Sequence, residues 1–249
     1  LKTSRQEILY GIHPVAEAVS AGRRKLEEII VAGDKPGTRI EQIVRSAKSV
    51  NLPVRRQPRQ KLEELTGTDM HQGIAARTGP LPTTDWSEML MTPSGAGIFL
   101  LLDSIMDPQN LGALIRTALC AGVNGVVIAK DRSAAPSPTV SKTSAGALEH
   151  IRLCQVVNLV SAMKDLKKIG GWIIGLDAAG HQTIYDSDFS GIVGIVVGGE
   201  AAGLRPLVSR ECDFLAHIPM RGPLDSLNAS VAGGVILYEA FRQQVGVGD

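Results

Sequence analysis

Three stretches of this 249-residue sequence place side chains able to do chemistry just beyond an apolar run. In residues 103–122 (DSIMDPQNLGALIRTALCAG), Asp107-Pro108 makes a turn and Asn110 is a good helix N-cap. The helix that follows carries Leu111, Leu114, Ile115, Ala118 and Leu119 on one face and stops at Gly122. Arg116 lies off that face, and Gly112, one turn below it, has no side chain to fill the space. Asn110 and Arg116 can therefore offer an amide and a cation to one ligand, although an exposed arginine behind an ordinary cap explains the same residues. In residues 196–204 (VVGGEAAGL), a buried strand runs into paired glycines, then Glu200 and Gly203. Such a turn lets a ligand approach the backbone, and a plain turn would look alike. In residues 217–239 (HIPMRGPLDSLNASVAGGVILYE), a Gly/Pro loop opens into a helix near Ser226. Ser226, Ser230, Gly233 and Gly234 form a stripe of small residues. Asn228 sits in the first turn, where amide donors meet an anion or a hydroxyl. A capped helix packed tightly on a neighbour is the alternative.

All three stretches are strand–loop–helix junctions, and in open α/β sheets ligands collect outside the carboxyl ends of the strands. Continuous apolar runs at 98–102, 126–129, 172–176 and 192–197 suit strands covered on both faces by helices. Residues 98–249 therefore read as an α/β domain with a mostly parallel sheet. Residues 79–97 concentrate Gly, Pro, Ser and Thr and read as a linker. Residues 1–78 read as a small α/β unit, with helices at 11–21 and 39–50 and strands at 28–31, 54–56 and 74–77.

Charge and composition narrow the partners. The net charge is +1, yet residues 1–80 hold 14 Lys/Arg against 9 Asp/Glu. Residues 45–61 contain Arg45, Lys48, Arg55, Arg56, Arg59 and Lys61 with no acid among them. These cations repel one another unless a polyanion neutralises them, which points to nucleic acid. Hydrophobic residues at 44% and charged residues at 20% exclude a wholly disordered chain. No apolar run approaches the roughly 18 residues of a membrane span. The opening LKTSRQE lacks the apolar core of a secretory leader, so a cytoplasmic protein is expected. Aromatics at 4% argue against a base-stacking surface. Cys120, Cys154 and Cys212 are widely spaced, and neither C-x-x-C nor H-E-x-x-H occurs, so packed thiols are expected and no metal site is signalled. His13, His71, His150, His181 and His217 are scattered, which gives none of them a chemical role. The missing G-x-G-x-x-G disfavours a dinucleotide-dependent oxidoreductase.

Taken together, the three stretches resemble the SpoU (TrmH-type) RNA 2′-O-ribose methyltransferases of the SPOUT superfamily. The matching segments are N-x-G-x-x-x-R-T-A at 110–118, G-x-E-x-x-G-L at 198–204 and I-P-M-x-G-x-x-x-S-L-N-x-S-V-A at 218–232, within a resemblance spanning 98–242. D-P-Q-N at 107–110 and K-x-S-A-G-A-x-E at 142–149 are most similar to the bacterial 23S rRNA guanosine 2′-O-methyltransferase branch. Y-G-I-H-P-V at 10–15 is similar to that branch's small ribosomal-protein-like RNA-binding domain. Ala229 stands where many relatives carry valine, a conservative change.

The resemblance implies a deep trefoil knot in residues 98–249 and a homodimer with the active site near its interface. It implies S-adenosylmethionine as cofactor, with no metal. Gly198, Ile218 and Leu227 map to cofactor-binding positions, with Leu176, Gly199 and Met220 as neighbours. Asn110, Arg116, Glu200, Ser226, Asn228 and Ser230 map to the catalytic set. The implied partner is 23S rRNA, free or in an assembly intermediate, gripped by the basic N-terminal residues; neither DNA nor a membrane is expected. The reaction moves a methyl group from a sulfonium to a ribose 2′-oxygen, so it needs loss of the 2′-OH proton and in-line alignment. Family accounts give the base function to the arginine at position 116, to which chemistry objects, because free arginine releases its proton only above about pH 12. Either Arg116 is deprotonated in a site shielded from water, or it stays charged and stabilises developing alkoxide while a phosphate or water takes the proton. We expect the second. Glu200 is expected to orient Asn110 or Arg116, while Ser226, Asn228 and Ser230 fix the loop or the ribose. Two alternatives stand beside this reading. The N-terminal unit and D-P-Q-N argue against a tRNA ribose methyltransferase, and the intact polar set argues against a catalytically silent RNA-binding assembly factor.

Overall fold

The computed structural model describes residues 6–33, 36–91, 95–200 and 203–246. In chain order the elements are β1 (Glu7–Tyr10), α1 (Ile12–Ala21), β2 (Leu26–Ala32), α2 (Thr38–Ser49), β3 (Val54–Gln57), α3 (Arg59–Thr66), β4 (Ile74–Thr78), α4 (Trp86–Leu90), β5 (Gly97–Asp103), α5 (Pro108–Cys120), β6 (Gly125–Ala129) and α6 (Pro138–Thr143). They continue, after a 3₁₀ turn at Ala147–Glu149, with β7 (Leu153–Val156), α7 (Leu159–Lys168), β8 (Trp172–Leu176), β9 (Gln182–Thr183), β10 (Ile192–Gly198), α8 (Pro206–Glu211), β11 (Phe214–His217) and α9 (Ala229–Val245). The chain divides into two compact units, Leu1–Pro82 with Pro136–His150 and Thr83–Ala135 with Ile151–Asp249.

The first unit is built on a sheet of order β1-β4-β2-β3, antiparallel except for the β2–β3 pair. The apolar stripes of α1 (Val15, Ala18) and α2 (Ile40, Ile43, Ala47) close on Leu9, Ile29, Val31, Ile74 and Ala76 from the strands. Residues 136–150 join this unit rather than the parallel sheet that precedes and follows them in sequence. A buried ion pair anchors them: Arg24 Nε and Nη2 donate to Glu149 Oε2 and Oε1 at 2.9 and 3.1 Å, and Ser141 Oγ donates to Oε1 at 2.8 Å. Gly146 has φ +87°, and a Cβ there would lie 3.0 Å from the His13 carbonyl oxygen, so only glycine fits. Composition predicts a linear division with a linker at 79–97. Instead, the chain returns to the first unit at 136–150, and α4 folds inside the expected linker with Met89 fully buried.

The second unit holds a seven-stranded sheet of order β7-β6-β5-β10-β8-β11-β9, parallel at every pairing. Phe99, Leu101, Val127, Ile173 and Val196 pack against Leu159, Met163 and Leu166 of α7 and Val208 of α8. Side chains alternate along each strand, so Leu100 and Leu102 point to the opposite face. On that side α5 and α9 pack together, Gly233 leaving room for Leu114 and Val197. The strand order reverses between β5 and β10, so the loops after these strands leave the carboxyl edge side by side, with Gly198 opposite Asp103. No helix among the described residues is long and apolar enough to cross a membrane.

Candidate active site

A cavity of about 310 Å³ opens at the carboxyl ends of β8, β10 and β11. Leu176, Gly198, Gly199, Ile218, Met220 and Leu227 all line it, together with Glu200 and Ser226. Asp177 and Asp225 line it too. Sequence reasoning missed both, although each is an acid directly next to a motif residue. A larger cavity of about 440 Å³ lies in the first unit between α1 and α2, walled by Ile12, Ala16, Val19, Ile43 and Val50. It has no carboxylate and no residue of the three motifs at 110–118, 198–204 and 218–232.

The three motif loops meet through hydrogen bonds. Asn110 Nδ2 donates to Glu200 Oε1 at 2.8 Å, and Asn228 Nδ2 donates to Asn110 Oδ1 at 3.0 Å and also to Glu200 Oε1. Asn228 works at both ends of its carboxamide, because its Oδ1 accepts from Ser230 N at 2.9 Å, Ser230 Oγ at 2.6 Å and Val231 N at 3.3 Å. It is the N-cap of α9. The third motif's helix therefore starts at Ala229, and Ser226 lies in the loop ahead of it, not at the helix opening expected from sequence. The cap of α5 is likewise Asp107, whose side chain accepts from Gln109 N at 2.9 Å. Asn110, expected as the cap, sits inside the first turn and is buried, which frees its amide for Glu200. Glu200 orients the two asparagines and not Arg116. Arg116 projects from α5 into solvent with no hydrogen-bond or ionic partner among the described residues.

The basic residues of 45–61 spread over three elements. Arg45 and Lys48 are exposed on α2, Arg55 and Arg56 lie on β3, and Arg59 and Lys61 lie on α3. The fold supplies an acid to three of the six, which their own segment lacks. Arg55 meets Glu28 at 3.3 Å, Arg59 meets Glu63 at 3.3 Å, Lys61 meets Glu64 at 2.7 Å, and Arg56 donates to the Gly33 carbonyl at 3.1 Å. Exposed pairs of this kind are worth only about 0–1 kcal/mol, so a phosphate can displace the acid. Of the cysteines expected to be packed, Cys154 is buried and Cys212 half-buried, but Cys120 is exposed. Burial pushes the Cys154 and Cys212 thiols up to about 11 and about 12, which leaves both unreactive at neutral pH.

The profile of the SpoU rRNA Methylase family matches residues 97–238, and that of RNA 2'-O ribose methyltransferase substrate binding matches residues 8–84. The chain is 39% identical to the 23S rRNA (guanosine-2'-O-)-methyltransferase RlmB of Xanthomonas axonopodis pv. citri, over 98% of this chain and 99% of the relative. It is 36% identical to the protein of the same name from Pseudomonas aeruginosa, over 97% and 98%. Among solved structures it is similar to the SpoU methyltransferase AviRb from Streptomyces viridochromogenes in complex with AdoMet, with TM-score 0.81, 24% identity and coverage of 96% of this chain and 91% of that one. That likeness speaks for the fold. Similarity running the full length of a chain whose three motif loops meet through hydrogen bonds beside one cavity leaves a single conclusion: the chain belongs to the SpoU rRNA methylase family.

Proposed function

We propose that the chain transfers a methyl group from S-adenosylmethionine to the ribose 2′-oxygen of a guanosine in 23S rRNA. The observation that carries this reading is the full-length likeness to RlmB enzymes, combined with the meeting of Asn110, Glu200 and Asn228 beside the cavity. The cavity suits the cofactor. Leu176, Val197, Ile218 and Leu227 give apolar walls for a nucleobase, and Asp177, Asp225 and Glu200 offer carboxylates to hydroxyl, ammonium and sulfonium groups. Its volume lies in the roughly 300–1,000 Å³ range of small-molecule sites. When bound, S-adenosylmethionine supplies an electrophilic methyl group. Arg116 keeps its charge and stabilises the developing 2′-alkoxide, while a substrate phosphate or water takes the proton. Glu200 fixes the carboxamides of Asn110 and Asn228. Ser230, whose hydroxyl donates to Asn228, holds that asparagine, and Ser226 is left to meet the ribose.

Gly198 belongs to this reading through its missing side chain. A Cβ there would lie 2.6 Å from Leu204 N and closer still to the Gly203 carbonyl, all of it backbone that cannot swing aside. Gly198→Ala must therefore move the cavity wall, and S-adenosylmethionine affinity is expected to fall at least about tenfold, or about 1.4 kcal/mol. Isothermal titration calorimetry measures it, and an unchanged affinity would place the cofactor elsewhere.

Residues 1–78 are assigned to RNA substrate binding and 98–249, apart from the 136–150 segment that joins the first unit, to the knotted methyltransferase domain, in a cytoplasmic homodimer. A second copy fits α9, where Val231, Tyr238, Phe241 and Val245 recur along one helical face and stay exposed in the single chain. Methyl incorporation into 23S rRNA and into tRNA, with the mark mapped by mass spectrometry, tests the function; transfer to tRNA alone would overturn it. Removing residues 1–78 should abolish efficient rRNA methylation, because phosphate contacts supply most of the affinity and weaken steeply with salt. The truncation also strips the cover from Val140 and Leu148 and the Arg24 partner from Glu149, so it should be less stable than the full chain. Full rRNA activity in the truncated chain would refute the binding role.

A further inference from the structure

Asp103, the last residue of β5, is fully buried. Its carboxylate accepts two hydrogen bonds from one residue of the neighbouring loop, Arg205 N at 2.8 Å and Arg205 Nε at 2.6 Å. A buried carboxylate is tolerated only when it is paired and hydrogen-bonded, so these two bonds form a firm joint. Arg205 closes the loop that starts at Gly198. The loop's entry is held by the ladder pairing of Gly198 with Asp103, and by Gly199, which lies so close to the Ser104 carbonyl that no Cβ fits. Its neck is tied by Gly203 N donating to Gly199 O at 2.9 Å. Ser104 itself takes φ +63°, left-handed backbone that non-glycine residues adopt only when the surroundings impose it. Residues 103 and 104 thus grip both ends of the loop that carries Glu200. Neither Asp103 nor Arg205 lines the cavity.

We infer that Asp103 and Arg205 are positioning residues for methyl transfer: their joint sets where the Glu200 carboxylate stands, and through it the orientation of Asn110 and Asn228. The inference rests on the proposed methyltransferase reading for its kinetic readout. Asp103→Asn turns one acceptor into an amide donor facing an N–H of Arg205, which breaks the joint with little change in volume. It is expected to lower kcat about 10–100-fold, the range for a small misplacement of catalytic groups. Arg205→Ala keeps the backbone bond and loses the side-chain bond, so it should lose less, and Arg205→Lys, which keeps the charge, less again. The decisive measurement is a double-mutant cycle on kcat. In a Glu200→Ala background, adding Asp103→Asn should cost less than about threefold, because the group it positions is already gone.

A folded Asp103→Asn with unchanged kcat would overturn the inference, as would a loss that multiplies in full with that of Glu200→Ala. Should Asp103→Asn fail to fold, Arg205→Lys carries the same cycle, since it keeps a cation beside the buried carboxylate and the Arg205 side chain is 35% exposed. A readout without turnover separates this joint from the reading it rests on. Hydrogen exchange at the Gly203 and Arg205 amides must accelerate in the variant, and unchanged exchange refutes the joint whether or not the wild-type chain methylates rRNA.

Discussion

Arg116→Ala will lower methyl transfer about 10²–10³-fold, the usual loss when a group that stabilises developing oxyanion charge is removed, while S-adenosylmethionine affinity stays within about threefold. The asymmetry follows from where the side chain lies. Arg116 is on the exposed face of α5, outside the cavity lining, so truncating it disturbs neither the helix packing nor the cofactor walls. Equal losses of turnover and cofactor affinity would make the residue structural. Arg116→Lys separates the two roles for the guanidinium. As a proton acceptor, lysine with its ordinary value of about 10.4 would release its proton more readily than arginine, so activity would climb towards pH 10. As a cation, lysine keeps the charge but loses the planar fork, so activity would be partial near neutrality and would fall as the amine is neutralised. We expect the falling profile.

How much of this was legible beforehand depended on the range of the interaction. The four apolar runs became β5, β6, β8 and β10 because a strand buried on both faces announces itself by its own composition. The three motifs were legible for the same local reason, and all six positions expected to bind the cofactor line one cavity. Cap positions were read one turn off. Asp107-Pro108 is a cap followed by proline at the first helical position, a signal stronger than Asn110, whose amide is taken by Glu200 90 residues away. The two-residue β9 leaves little periodicity to read, whereas the polar edge strand expected at 54–56 is β3, Val54–Gln57. The counter-charges of the basic segment come from β2 and from the next turn of α3, so no inspection of residues 45–61 alone could find them. The placement of residues 136–150 was likewise invisible, because it rests on partners 125 residues apart.

That long-range pair carries the largest expected effect on stability. Arg24 and Glu149 have side chains 0% and 1% exposed, and the guanidinium grips the carboxylate with two nitrogens while its third reaches Glu7 at 2.7 Å. Arg24→Ala leaves the Glu149 carboxylate buried with Ser141 Oγ as its remaining hydrogen-bond donor. Breaking a buried pair in this way costs about 3–5 kcal/mol, because the stranded charge has lost its partner without regaining water. Chemical denaturation should show the unit that contains residues 136–150 unfolding at lower denaturant. Replacing both partners, Arg24→Met with Glu149→Leu, removes the desolvation cost along with the attraction and should recover most of the loss. Glu7 tolerates the change, since its side chain is 20% exposed and can turn to water. A single Arg24→Ala loss below about 1 kcal/mol would mean that solvent reaches the pair as it does a surface ion pair. The clasp of residues 136–150 would then rest on Val140, Leu148 and the backbone at Gly146, with the hydrogen bonds from Arg23 to the His150 carbonyl, from Lys142 to the Met70 carbonyl and between His150 and Glu17.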